Sequence, residues 1–158
     1  MAFRNIAQRI SQRCGVELRP AAEPDAARFV DLGASGVVKG FFVQFEPAEC
    51  AEIEGARLWP IAELVAENTA LVPGADLHPR GLLVIGTTDC GDAYCVDLKA
   101  GGADPPVVLY SHDEDWAEAD DTRLHALRKV VAKSFTQFLD AFAAGTLDHE
   151  PFWGEETG

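Results

Sequence analysis

GLLVIGTTDCGDAYCVDL (residues 81–98) and PVVLYSH (residues 106–112), separated by a Gly/Ala/Asp/Pro loop, carry the clearest structural signal in the chain. Apolar runs broken by turn residues read here as three successive strands. The first run (Leu82, Leu83, Val84, Ile85) is continuous, the second (Ala93, Tyr94, Cys95, Val96, Leu98) is interrupted by Asp97, and the third (Val107, Val108, Leu109, Tyr110) follows two prolines. Between the first two lie Asp89, Cys90, Gly91 and Asp92, whose Asp and Gly suit the turn-type or positive φ angles of a hairpin loop.

Working outward, Phe3, Ile6, Ala7 and Ile10 recur at three and four residues and predict a first helix ended by Cys14 and Gly15. A second, short helix is expected over 24–32, with Pro24 in its first turn, Asp25 at the positive end of the dipole and Gly33 closing it. Beyond a flexible passage over 33–40, Phe41, Phe42, Val43 and Phe45 predict a strand that stops before Pro47. Leu58 and Trp59 enter a helix with Pro60 at its first position and Ile61, Leu64 and Val65 on its apolar face. The last helix is the best specified: Ser134 and Gln137 form a capping-box pattern, Phe135, Phe138, Leu139 and Phe142 an apolar stripe, and Gly145 a stop. An acidic tail over 146–158 follows, with Phe152 and Trp153 available to pin it. The expectation is one α+β domain over 1–158, an antiparallel sheet of the Phe41, Leu82, Tyr94 and Val107 strands covered on one face by the N- and C-terminal helices.

A chain of 158 residues can bury roughly 70% of its extended-chain surface, so one core suffices without staples. With 26 acids against 13 bases and a formal net charge of −13, no surface that tracks a phosphate backbone is expected, and nucleic acid is excluded as a direct ligand. The first 19 residues carry net +3, leaving −16 for the rest. A partner of that remainder should be basic. Cys14, Cys50, Cys90 and Cys95 form no CxxC pair and are read as buried free thiols. Arg4, Arg9 and Arg13 break up any leader-like apolar run, and no run approaches the roughly 18 residues of a membrane span. A cytoplasmic, reduced location without membrane contact is the expectation; oligomeric state is left open.

The pattern (L)LxIGxxxxGDxYxxDL is carried by Ile85, Gly86, Gly91, Asp92, Tyr94, Asp97 and Leu98. PVVxxxHxxD follows in Pro106, Val107, Val108, His112 and Asp115, and SFxxFLxxF in Ser134, Phe135, Phe138, Leu139 and Phe142. In this order they resemble the SUKH superfamily, which includes fungal cell-wall-synthesis regulators and many bacterial immunity proteins. LWPIAELVAEN (residues 58–68) is similar to that family's strand-into-helix element, so the resemblance is strongest over 58–145. Before it the chain departs from the family: only Leu18, Pro20 and Phe29 match the opening pattern, and Gly33, Ala34, Ser35 and Gly36 stand where an Asn-Gly turn is expected. The resemblance implies a non-catalytic protein-binding module, in bacterial members commonly an immunity protein that neutralises a toxin. A regulatory or scaffolding adaptor, and a small-molecule binder or hydrolase, stay open as alternatives.

Asp113, Glu114, Asp115, Glu118, Asp120 and Asp121 place six carboxylates in nine residues around Trp116. Such a run cannot be buried. Its bland reading is a solvated loop; its functional reading is a lure for a basic protein such as a toxin domain, with Trp116 as aromatic anchor and Glu118, Asp89 and Asp92 contributing charge. The run lacks the glycine and alternating spacing of an EF-hand, and His78, His112, His125 and His149 are scattered, so no metal and no cofactor is expected. Ser111, His112 and Asp113 are neighbours on a strand end and cannot assemble a triad. No GxSxG, P-loop or GxGxxG motif is present. No catalytic residue is therefore assigned, and Asp97 is read as a backbone-bonding residue at a strand end.

Overall fold

A computed structural model describes residues 3–153. A small ladder of β1 (Leu18–Arg19) and β2 (Glu46–Pro47) stands beside a six-stranded sheet. The sheet runs in chain order through β3 (Ala51–Ile53), β4 (Ala56–Leu58), β5 (Leu82–Thr88), β6 (Ala93–Asp97), β7 (Val107–Tyr110) and β8 (Lys129–Ala132), every pair antiparallel. The three central strands are the ones the apolar runs predict, and the α+β single-domain architecture is as expected.

One face of the sheet carries Leu83, Ile85, Tyr94, Val96, Val107 and Leu109. Against it lie side chains of α1 (Phe3–Cys14), α2 (Glu23–Asp31), α3 (Gly36–Phe45), α4 (Ile61–Thr69) and the C-terminal helix over residues 135–144. Phe3, Phe29, Phe41, Phe42 and Phe135 interlock there, mostly edge to face at centroid distances of 5.3–6.0 Å.

The opposite face carries Leu82, Val84, Ala93, Cys95, Val108 and Tyr110, and it too is covered. Its cover is α5 (Gly74–Leu77) with a following 3-10 turn (His78–Arg80), then Trp116 from the loop after β7, and the end of α6 (Asp121–Ala126) with Leu127. The expected one-sided cover is thus half of the arrangement, and β5 is buried along its whole length, as a continuous rather than alternating apolar run demands. The C-terminal helix, α7 (Phe135–Ala144), starts at the expected Ser134 cap, whose hydroxyl accepts from the Gln137 amide at 3.1 Å, and ends at Gly145.

The strand expected at Phe41 is the helix α3. Val38, Phe41, Phe42 and Phe45 recur with helical spacing, and the apolar run was long enough to satisfy either period. Gly36 begins α3 at φ +56°, where the Val37 amide donates to Ala103 O at 2.8 Å and a Cβ on Gly36 would lie 2.5 Å from that oxygen. The free thiols also depart from expectation: Cys95 is buried, but Cys90 is exposed at the β5–β6 turn and Cys14 and Cys50 are half-buried.

Asn68 closes a gap in the sheet. β4 pairs with β5 only from Gly86 to Thr88, because Pro60 offers no amide and the chain turns into α4. The buried Asn68 side chain from α4 takes the missing strand's place: Val84 N donates to its Oδ1 at 2.8 Å and its Nδ2 donates to Val84 O at 3.0 Å. Glu46, also buried, accepts the first amide of α4, Ile61 N, at 2.8 Å.

Candidate functional site

After Tyr110 the chain leaves the sheet and its next large side chain turns back under it. Trp116 is 1% exposed, lies edge-on to Tyr110 at 4.9 Å, and donates from Nε1 to Ser111 O at 2.7 Å. This corrects the reading of Trp116 as an aromatic presented to a partner: burying an indole with a satisfied N–H is worth more than leaving it among the acids. Its role is to fasten the acidic loop from beneath.

Other bonds hold the same loop. Arg80 Nη1 donates to Trp116 O at 3.2 Å and Ala119 O at 3.0 Å, while its Nη2 meets Asp121 at 2.7 Å. Asp120 caps α6 by accepting from Arg123 N at 2.8 Å. Arg80 was not singled out from the sequence; a lone arginine in a His-Pro-Arg-Gly turn before a core strand gives no signal of the loop it will grip.

Two of the seven residues expected at a partner surface are therefore interior supports. Asp92 is 2% exposed; its Oδ1 accepts from His112 N at 2.9 Å and lies 2.7 Å from His112 Nδ1, and its Oδ2 accepts from Thr88 Oγ1 at 3.2 Å. It ties the β5–β6 turn to the start of the loop instead of facing solvent. His112 Nε2 in turn lies 3.1 Å from Asp113. Glu114 is largely covered and paired with Arg123. Asp89, Asp113, Asp115 and Glu118 remain exposed, along one end of the sheet.

The exposed aromatic beside these acids is Trp153. It is 51% exposed and shares a shallow groove with Glu118, Asp120 and Arg123. The tail that carries it is pinned, with Leu147 and Pro151 buried, Tyr94 OH donating to Asp148 O at 2.8 Å, and Lys129 Nζ 2.8 Å from Asp148 and 5.3 Å from the Phe152 ring centre. Partial burial works against the Asp148 carboxylate, but Lys129 and the Glu150 amide outweigh it and hold its pKa below the usual range. Residues 154–158 of the expected tail lie outside the described residues.

The chemistry of the end is that of a surface. Both ring nitrogens of His112 face carboxylates, and Ser111 Oγ accepts from Asp113 N at 3.0 Å, so the Ser-His-Asp neighbours form no relay. Asp89 beside Cys90 pushes that exposed thiol's pKa up, the reverse of an activated nucleophile. Asp97 does bond backbone, accepting from Lys99 N at 2.9 Å, and pairs with Arg128. Among the described residues no group of three or more His, Cys, Asp or Glu is placed to hold a metal ion, and no helix is long and apolar enough to cross a membrane.

A family model described as the SMI1 / KNR4 family (SUKH-1) matches residues 34–141, more than half of the chain. No curated protein matches.

Proposed function

From its place in the SMI1/KNR4 family (SUKH-1), to which the chain belongs, we propose that it is a non-catalytic protein-binding module, an immunity protein that neutralises a basic, nuclease-type toxin domain. The observation that carries this reading is a charged end held rigid: Asp89, Asp113, Asp115 and Glu118 project from a loop fastened by Trp116, Arg80 and the Asp92–His112 pair. Carboxylates fixed in place lose little entropy on docking, and a rim of one sign steers an oppositely charged partner. Trp153 supplies the aromatic contact that interfaces favour beside such charge. Four free thiols are in keeping with a cytoplasmic site of action.

The test is co-expression of this chain with the product of the gene immediately upstream of its own, which the immunity reading requires to be a toxin. Growth rescue by the wild-type chain, weakened by Asp113→Asn/Asp115→Asn/Glu118→Gln and by Trp153→Ala while thermal stability stays within about 0.5 kcal/mol, is the expected outcome. Rescue untouched by these changes moves the contact elsewhere. Binding to an endogenous basic protein, with no toxin neutralised, replaces the immunity reading with the adaptor one.

A further inference from the structure

In a chain with twice as many acids as bases, four basic side chains border one hollow. Arg80, Lys99, His125 and Arg128 line a depression of about 290 Å³ on the Trp116 side of the sheet, between the turn at Gly81, the end of β6 and α6. Asp97 and Asp121 line it as well, each paired with one arginine, Arg128 and Arg80 respectively. Three permanent cations against two carboxylates leave the lining positive, the opposite sign to the molecule as a whole.

Neither the Lys99 ammonium nor the His125 ring makes a side-chain hydrogen bond or ion pair among the described residues. Lys99 is nonetheless directed: its stem crosses the backbone at Gly81, where a Cβ would lie 2.7 Å from Lys99 Cε and 3.0 Å from Cγ. Gly81 sits at φ +85°, a conformation in which glycine is favoured, so the bare backbone is what lets the lysine lie there. The partly exposed Leu124 gives the same hollow an apolar edge, above the buried Leu82 and Tyr110.

We propose that this hollow binds a small phosphomonoester. The phosphate is met by Lys99, His125 and the unused N–H groups of the two arginines, and the organic remainder lies against Leu124. Donors arriving from the 3-10 turn, the β6 end and α6 suit a tetrahedral group with three acceptor oxygens better than a planar carboxylate with two. The size is near the lower end of small-ligand pockets. Because Arg80 also grips the loop carbonyls of Trp116 and Ala119, the ligand shares a side chain with the acidic end.

Amide NMR titration of the full chain tests this, with phenyl phosphate, inorganic phosphate, and sodium chloride at matched ionic strength. Expected are saturable shifts at Lys99, His125 and Arg128 with both phosphates, phenyl phosphate binding about fivefold or more tighter, and neither effect from chloride. Lys99→Gln/His125→Gln, both exposed, should keep the folded spectrum and weaken binding about tenfold or more. Shifts that fail to saturate, that chloride reproduces, or that persist in the double variant overturn the site. Equal affinity for the two phosphates overturns the organic half of the assignment.

Discussion

The two faces of the sheet are covered by different kinds of chain. On one, four of the five helices bring a connected set of phenylalanines, with Phe41, Phe42 and Phe135 each touching at least three other rings at its centre. On the other, a four-residue helix, a six-residue helix and an irregular loop are gathered around Tyr110 and a single indole. The first face supplies most of the apolar burial that folds the domain. The second is thin, and it is the one that presents charge: the acidic end and the basic hollow both belong to it. Both proposed sites thus lie where the cover is cheapest to vary, on a sheet whose stability is secured from behind.

Substitutions should separate the two covers in order of size. Phe138→Ala removes a ring stacked on Phe135 and Phe142 and edge-on to Tyr94, and should cost about 3–5 kcal/mol in urea unfolding, lost globally. Trp116→Ala should cost about 3 kcal/mol, with its far-ultraviolet spectrum near native, because the damage stays in the thin cover. Asn68→Ala, which strips Val84 N and O of partners at the seam between helix and sheet, should cost about 2 kcal/mol by the same assay.

The smallest effect concerns Glu46, whose pKa burial raises above the usual range, against the Ile61 amide that lowers it. A raised folded-state pKa means the native protein binds this proton more readily than the unfolded chain, so the group's contribution improves as pH falls through the raised value. Glu46→Gln keeps an acceptor for Ile61 N. It should therefore be more stable than wild type at pH 7, by a fraction of the Asn68 loss, with the advantage vanishing below the ordinary glutamate pKa when melting curves are compared across pH.

The same contrast explains what could be read from the chain. The phenylalanine side is periodic: Phe3, Ile6 and Ile10, or Phe135, Phe138 and Phe142, announce their helices, and the three buried strands announce themselves by continuous apolar runs. The run at Phe41 failed because four aromatic and β-branched residues in five fit a strand as well as a helix, and only the Val38 spacing decides it. Short β3, β4 and β8 carry too few residues to show a period. The thin cover has none. That Trp116 points inward, that Asp92 is buried, that Trp153 comes to lie beside Glu118 and that Lys99 and His125 line one hollow are all consequences of long-range closure. Charge density located the acidic end, but only the tertiary structure distinguishes its projecting carboxylates from its supports.

The central claim is that the acidic loop is a fixed surface fastened by a buried indole. Native-state hydrogen exchange of the wild-type chain tests it most directly. Slow exchange is expected at the Trp116 indole N–H, bonded to Ser111 O, and at the Ala119 and Leu124 amides, bonded to Asp115 O and Asp120 O. Exchange at these three sites as fast as in an unfolded peptide, while β6 and β7 stay protected, would contradict it.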